Sequence, residues 1–121
     1  MNIGIVGSRG VTNEDWVFRK LDKILLPLTV NNIVSGGARG VDTMAKNYAN
    51  RNNINLIEHK PQYQNYPKGQ EWRAPLDRNT TIVEESNLIV AFWDGVSTGT
   101  MDSVNKARER GIEVIIENIG S

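Results

Sequence analysis

Five short β-rich runs alternate with segments of helix length, and this rhythm leaves few folds open. The runs are Ile3–Val6, Asn32–Ser35, Asn55–Glu58, Leu88–Phe92 and Glu113–Ile116. All but Asn55–Glu58 are nearly continuous in apolar residues, as parallel strands covered on both faces require. Between them, Val17, Leu21, Ile24, Leu25 and Leu28 recur on one helical face, with Asn13 as N-cap and Pro27 near the end. Met44, Ala45, Tyr48 and Ala49 mark a second helix that begins near Val41. Pro75 fits the first turn of a third, with Ile82 and Val83 inward. Met101, Val104, Ala107 and Arg108 mark a fourth, closed by Gly111.

Strand–helix alternation with right-handed crossovers gives a doubly wound α/β arrangement. The prediction is a single Rossmann-like three-layer domain over residues 1–121, with a mostly parallel sheet of about five strands. A chain of 121 residues buries roughly two-thirds of the surface its unfolded form exposes, so it needs no metal or disulfide to fold. Cys is absent, which excludes a disulfide framework, thiolate metal sites and a cysteine nucleophile. His59 is the one histidine, so imidazole zinc sites are disfavoured, and no cofactor or metal is called for. No run approaches the ~18 apolar residues of a membrane helix. The expected setting is cytoplasmic.

Lys plus Arg and Asp plus Glu each number 14, for a formal net charge of zero. A general nucleic-acid coat protein normally carries a basic excess. The balance disfavours a long polyanion as partner and leaves a small anionic ligand open.

Three strand ends run into glycine-rich turns: Gly7-Ser8-Arg9-Gly10, then Ser35-Gly36-Gly37-Ala38-Arg39-Gly40-Val41-Asp42, then Asp94-Gly95-Val96-Ser97-Thr98-Gly99-Thr100. In an open parallel sheet, ligands bind beyond the carboxyl ends of the strands. Glycine lets backbone approach a ligand closely, and N–H groups at a helix start favour phosphate or carboxylate. Ser8, Ser35, Ser97 and Thr100 add hydroxyls, and Arg9 or Arg39 can supply bidentate charge. One such loop is ordinary turn chemistry; three at one edge point to a phosphate-bearing ligand. The spacing is neither the G-x-G-x-x-G dinucleotide fingerprint nor a P-loop, since no Gly-Lys-Ser/Thr occurs.

These loops, with Arg78-Asn79 between the second and third, resemble the SLOG superfamily in residue type and order from Gly7 to Thr100. The superfamily includes the DNA-processing protein DprA, the LOG phosphoribohydrolases and small stand-alone YspA-like proteins. The resemblance implies a Rossmannoid fold whose glycine loops hold a nucleotide-derived ligand, and it suggests a homo-oligomer. The LOG enzymes carry a catalytic Arg and a Glu in G-G-x-G-T-x-x-E. Here Gly99-Thr100 matches, but Ser103 stands where that Glu is expected, with Asp102 beside it and Arg78 in the place of the Arg. Asp102 is one position early, about 100° around a helix, which disfavours hydrolysis by an Arg78–Asp102 pair. DprA-like proteins bind single-stranded DNA, a role the zero net charge does not favour. The YspA-like branch fits best in length and implies sensing or sequestration, for instance of an ADP-ribose-like phosphorylated signal, without a catalytic residue.

The ligand residues so implied are Gly7, Ser8, Arg9, Ser35, Gly36, Gly37, Ala38, Arg39, Gly40, Asp42, Arg78, Asn79, Asp94, Gly95, Ser97, Gly99 and Thr100. Asp42 either caps a helix start or binds ribose hydroxyls; Asp94 caps the Gly95 turn, accepts a ligand hydroxyl or orients an arginine. The long segment Lys60–Ala74 is expected to complete the site, its Tyr63, Tyr66 and Trp72 serving as a base-stacking lid or as cover for an interface or a small core of their own. Trp16 and Trp93 read as packing residues, and His59 is assigned no chemistry.

Overall fold

The computed structural model describes residues Met1–Ile119. Its strands are β1 (Asn2–Gly7), β2 (Asn32–Ser35), β3 (Asn55–Glu58), β4 (Leu88–Trp93) and β5 (Glu113–Asn118). The helices are α1 (Glu14–Leu25), α2 (Val41–Arg51), α3 (Arg73–Glu84) and α4 (Thr98–Glu109), and a short 3₁₀ turn covers Tyr63–Asn65. All four strand pairings are parallel, in the order β3-β2-β1-β4-β5. The α/β Rossmann-like arrangement expected from the alternation is therefore observed. Chain order reverses direction between β1 and β4, which makes their carboxyl ends the switch point.

Side-chain alternation along the central strands explains the layers. Ile3 and Ile5 of β1, with Leu88, Val90 and Phe92 of β4, face α1 and α2. Val6, Ile89 and Ala91 face the other way, against Ile82 and Val83 of α3 and Val104 and Ala107 of α4. The strands lie between two helical layers, so neither face of β1 or β4 needs polar residues. Trp16 packs edge-on to Phe92 with ring centroids 5.7 Å apart, in keeping with its packing role.

Some boundaries differ from the sequence expectation. α1 ends at Leu25, and Leu26 is 87% exposed, because Leu28 and Val30 fold back on the core from a turn. Pro75 is the third residue of α3, still within the first turn, where its missing N–H costs no helical bond. In α4 the inward face is Thr100, Ser103, Val104 and Ala107, whereas Arg108 is exposed. Among the described residues no helix is long and apolar enough to cross a membrane.

Candidate functional site at the switch point

The first and third glycine loops are locked together by a buried serine. The Ser8 amide donates to the Phe92 carbonyl at 3.0 Å, which extends the β1–β4 pairing by one residue. Its hydroxyl accepts from the Asp94 amide at 3.2 Å and lies 3.4 Å from Oγ1 of Thr100. Ser8 and Thr100 are both buried, so this contact fixes where α4 starts relative to β1. Asp94 in turn accepts from the amides of Val96 and Ser97 through Oδ1, at 2.9 and 2.8 Å. These amides hold its carboxyl below the usual carboxylate range. Asp94 thus caps the Gly95 turn, one of the roles open to it. The Trp93 indole closes the turn by donating to the Ser97 carbonyl at 3.0 Å.

The second loop is organised by Asp42. Its carboxylate accepts from the Ser35 hydroxyl at 3.1 Å and from the Ala38 amide at 3.0 Å, folding the glycine turn back over the start of α2. Burial raises the Asp42 pKa, while the Ala38 amide, the Arg78 charge and the Ser35 hydroxyl pull it back. Arg78 reaches across from α3 and donates through one guanidinium nitrogen to the Gly36 carbonyl at 2.7 Å, and more weakly to the His59 carbonyl at 3.4 Å. Its Nε donates to Oδ1 of Asn79 at 3.0 Å. Glycine at 36 leaves room for this contact, since a Cβ would lie 2.3 Å from the guanidinium and 2.9 Å from Oδ2 of Asp42 and would have to displace them. Burial lowers the Arg78 pKa and the Asp42 charge raises it again; the guanidinium stays charged.

Together the three loops and α3 enclose an open cleft of about 380 Å³. Of the residues named from sequence, Gly7, Arg9, Gly36, Ala38, Arg39, Asp42, Arg78, Asn79, Asp94, Ser97, Gly99 and Thr100 line it. Ser8, Ser35, Gly37, Gly40 and Gly95 do not line it: Ser8 and Ser35 brace loops, Gly40 precedes α2, and Gly37 and Gly95 take positive φ in turns. Gly10 of the first glycine loop and Ser103, at the place of the LOG glutamate, line it too, as do Val6, Pro75, Leu76 and Ile82, which the sequence reading does not single out for the site. Pro75, Leu76, Asn79 and Ile82 recur at helical spacing, a pattern that could have identified α3 as a cleft wall.

Helix starts contribute unevenly. Asn13 caps α1 by accepting from the Trp16 amide at 3.0 Å, whereas α2 and α4 have no side-chain cap. The start of α3 is uncapped too, and those of α2 and α4 adjoin cleft-lining loops, where first-turn N–H groups favour an anion. Arg9 and Arg39 are exposed at the rim and Arg78 is half-buried inside.

Asp102 is not part of the lining. Its carboxylate accepts from the Asn79 amide at 3.2 Å and pairs with Lys106 at 2.8 Å, while the Lys106 ammonium also donates to the Leu76 carbonyl. Asn79 is buried between α3 and α4 and joins them. The Lys60–Ala74 segment also departs from expectation, because none of its residues lines this cleft. Tyr66 donates to Asp77 and stacks under Arg73, while Tyr63 and Trp72 are exposed. The residues of that segment border a separate depression that shares Arg78 with the cleft. Among the described residues no group of three or more His, Asp or Glu is placed to hold a metal ion.

The strand order and the glycine-lined cleft define a Rossmann-type α/β protein with its candidate site at the switch point. The chain belongs to the YspA, cpYpsA-related SLOG family, whose sequence profile matches residues 1–66. No curated protein matches it. Among solved structures, DNA processing protein A from Helicobacter pylori, described for its single-stranded DNA binding mode, superposes with a TM-score of 0.72 at 20% identity. That match covers 100% of this chain and 67% of the other. DprA from Streptococcus pneumoniae gives 0.68 at 20% identity over 95% of this chain, which spans about half (49%) of that protein. At this identity the likeness is one of fold.

Proposed function

We propose that this chain is a binding module for a small, phosphate-bearing, nucleotide-derived ligand, ADP-ribose-like in combining phosphates with hydroxyls. One observation carries the reading: Arg9, Arg39 and Arg78 converge with the uncapped starts of α2 and α4 on one cleft of about 380 Å³. Guanidinium forks and free helical N–H groups are the donors that phosphate oxygens accept best. Family membership supports a nucleotide-derived ligand, and the mixed charge of the edge suits a compact one. The 121 residues act as one domain, and the family resemblance supports assembly into a homo-oligomer. Titration calorimetry against nucleotides and ADP-ribose derivatives tests this reading. Saturable binding by at least one is expected, and silence of the whole panel at millimolar concentration sinks it. The affinity then separates a sensor from a protein that sequesters its ligand.

A second reading, single-stranded nucleic-acid binding, is favoured by the exposure of Trp72 (65%) and Tyr63 (49%) in a segment that also carries Lys68 and Arg73. Exposed aromatics among cations are the stacking platform such strands use. The described activity of the Helicobacter pylori fold relative lends support. This reading requires binding of an oligonucleotide that falls steeply with added salt. No complex at low salt rejects it.

A further inference from the structure

We propose that the depression beneath the Lys60–Ala74 segment is a nucleobase subsite, so that the ligand spans two cavities with Arg78 between them. This rests on the phosphate-ligand reading above and assigns the ligand's other end.

The depression holds about 300 Å³, and Arg78 lines both it and the main cleft. The second loop packs against residues of both linings. Gly36 faces Arg78, and a Cβ at the next residue, Gly37, would lie 3.0 Å from Cγ of Lys60 and 3.2 Å from Cδ of Glu58. Gly37 has φ +71°, so a side chain there would be strained as well as crowded. One guanidinium nitrogen of Arg78 donates both to the carbonyl of Gly36, which lines the cleft, at 2.7 Å and to that of His59, which lines the depression, at 3.4 Å, so the two spaces meet at this side chain.

The two cavities differ in chemistry. In the main cleft both Asp42 oxygens are occupied, by Ser35 and Ala38, and arginines dominate the rim. In the depression Glu58 and Asp77 face the space beside Lys60, Gln62 and Asn65, which disfavours phosphate there. Asp77 is held by the Tyr66 hydroxyl. The side chains of Glu58, Lys60 and Asn65 make no hydrogen bond or ion pair among the described residues. A free carboxylate, ammonium and amide are the groups that read base edges: Asn pairs with the N6/N7 edge of adenine, Lys with O6/N7 of guanine, and Glu accepts from an exocyclic amine. An uncharged end group rich in donors and acceptors matches this set, and a nucleobase is that group.

The test compares ribose 5-phosphate with the four nucleoside 5′-monophosphates by calorimetry on the wild-type chain, Lys60→Ala, Asn65→Ala and the double variant. Both substituted residues are exposed, and thermal unfolding of each variant verifies the fold. At least one nucleotide is expected to bind tenfold or more tightly than ribose 5-phosphate. The double variant should erase that advantage and leave ribose 5-phosphate affinity within twofold of wild type. Equal affinity of ribose 5-phosphate and the best nucleotide overturns the subsite alone, as does an advantage that survives the double substitution. Absence of binding by every probe overturns the phosphate-ligand reading and the subsite with it.

Discussion

Arg78 donates to the Gly36 carbonyl at 2.7 Å, and this one bond ties helix α3 to the glycine loop that follows β2. The same side chain contacts Asn79 and the His59 carbonyl, so a single planar fork holds three segments. Lysine cannot reproduce that geometry. Arg78→Lys is expected to lower affinity for the phosphate-bearing ligand tenfold or more. It should also cost about 1.5–3 kcal/mol of stability, the range for hydrogen bonds to a charged group. Calorimetry and denaturant unfolding measure the two effects, and unchanged affinity would show that Arg78 braces the loop without touching ligand.

Two glycines of the cleft should respond differently to alanine. At Gly36 the added Cβ meets the guanidinium at 2.3 Å, whereas at Gly99 nothing lies within 4 Å. Gly36→Ala must displace Arg78 or Asp42, costing about 1–3 kcal/mol as overpacking does. Gly99→Ala should be close to neutral for stability, since that helix position also gains from alanine's propensity. Any loss of ligand affinity in Gly99→Ala would then report close approach of the ligand itself. Parallel melting curves and titrations of the two variants decide it; equal destabilisation would contradict the packing argument.

The layers and three of the four cleft walls were legible in the sequence, because apolar continuity and glycine at strand ends are local signals. Ser8 and Ser35 brace the loops and do not line the cleft; sequence cannot tell a hydroxyl facing a cavity from one facing a neighbouring loop. Asn79 was similarly opaque: it sits beside Arg78 in the chain but turns between α3 and α4, 100° around the helix. The Lys60–Ala74 segment was read as part of the main site, and its displacement to a second depression follows from tertiary contacts such as Tyr66 with Asp77. No periodicity announces those.

Two carboxylates of the site carry opposite pH linkage. Burial raises the folded-state pKa of Asp42 above its ordinary value of 3.8, so the folded state loses stability as pH rises from there through the raised value. Backbone amides depress Asp94 below 3.8, so its contribution is present above that value and lost as pH falls through the depressed one. Relative to wild type, Asp94→Asn should therefore be most destabilised near neutrality and converge with it in acid. Asp42→Asn should instead gain on wild type as pH rises from 3 to 7, because an amide there does not ionise. Thermal midpoints across that range for the three proteins provide the check. Parallel curves would mean that neither carboxyl shifts on folding.

The position of Asp102 bears on whether the cleft cleaves what it binds. Breaking an N-glycosidic bond needs a carboxylate beside the sugar, to support positive charge or activate water. Asp102 instead turns its Oδ2 to both Lys106 and Asn79, outside the cleft lining, and Ser103 lines the cleft in its stead. A serine hydroxyl at that place carries no charge to offer. Incubation with nucleoside 5′-monophosphates is expected to release no free base, and Asp102→Asn should leave ligand affinity unchanged within twofold. The half-buried pairing with Lys106 is an i,i+4 contact, a type worth about 0.3–0.5 kcal/mol when exposed, so that variant should remain folded. Release of base that disappears in Asp102→Asn would make this chain a hydrolase. Installing the missing group offers the converse test: Ser103→Glu puts a carboxylate at the wall of the cleft that Arg78 also lines, its fold checked by thermal unfolding because Ser103 is buried. Any base released by that variant alone would locate the difference between binding and cleavage at this one side chain.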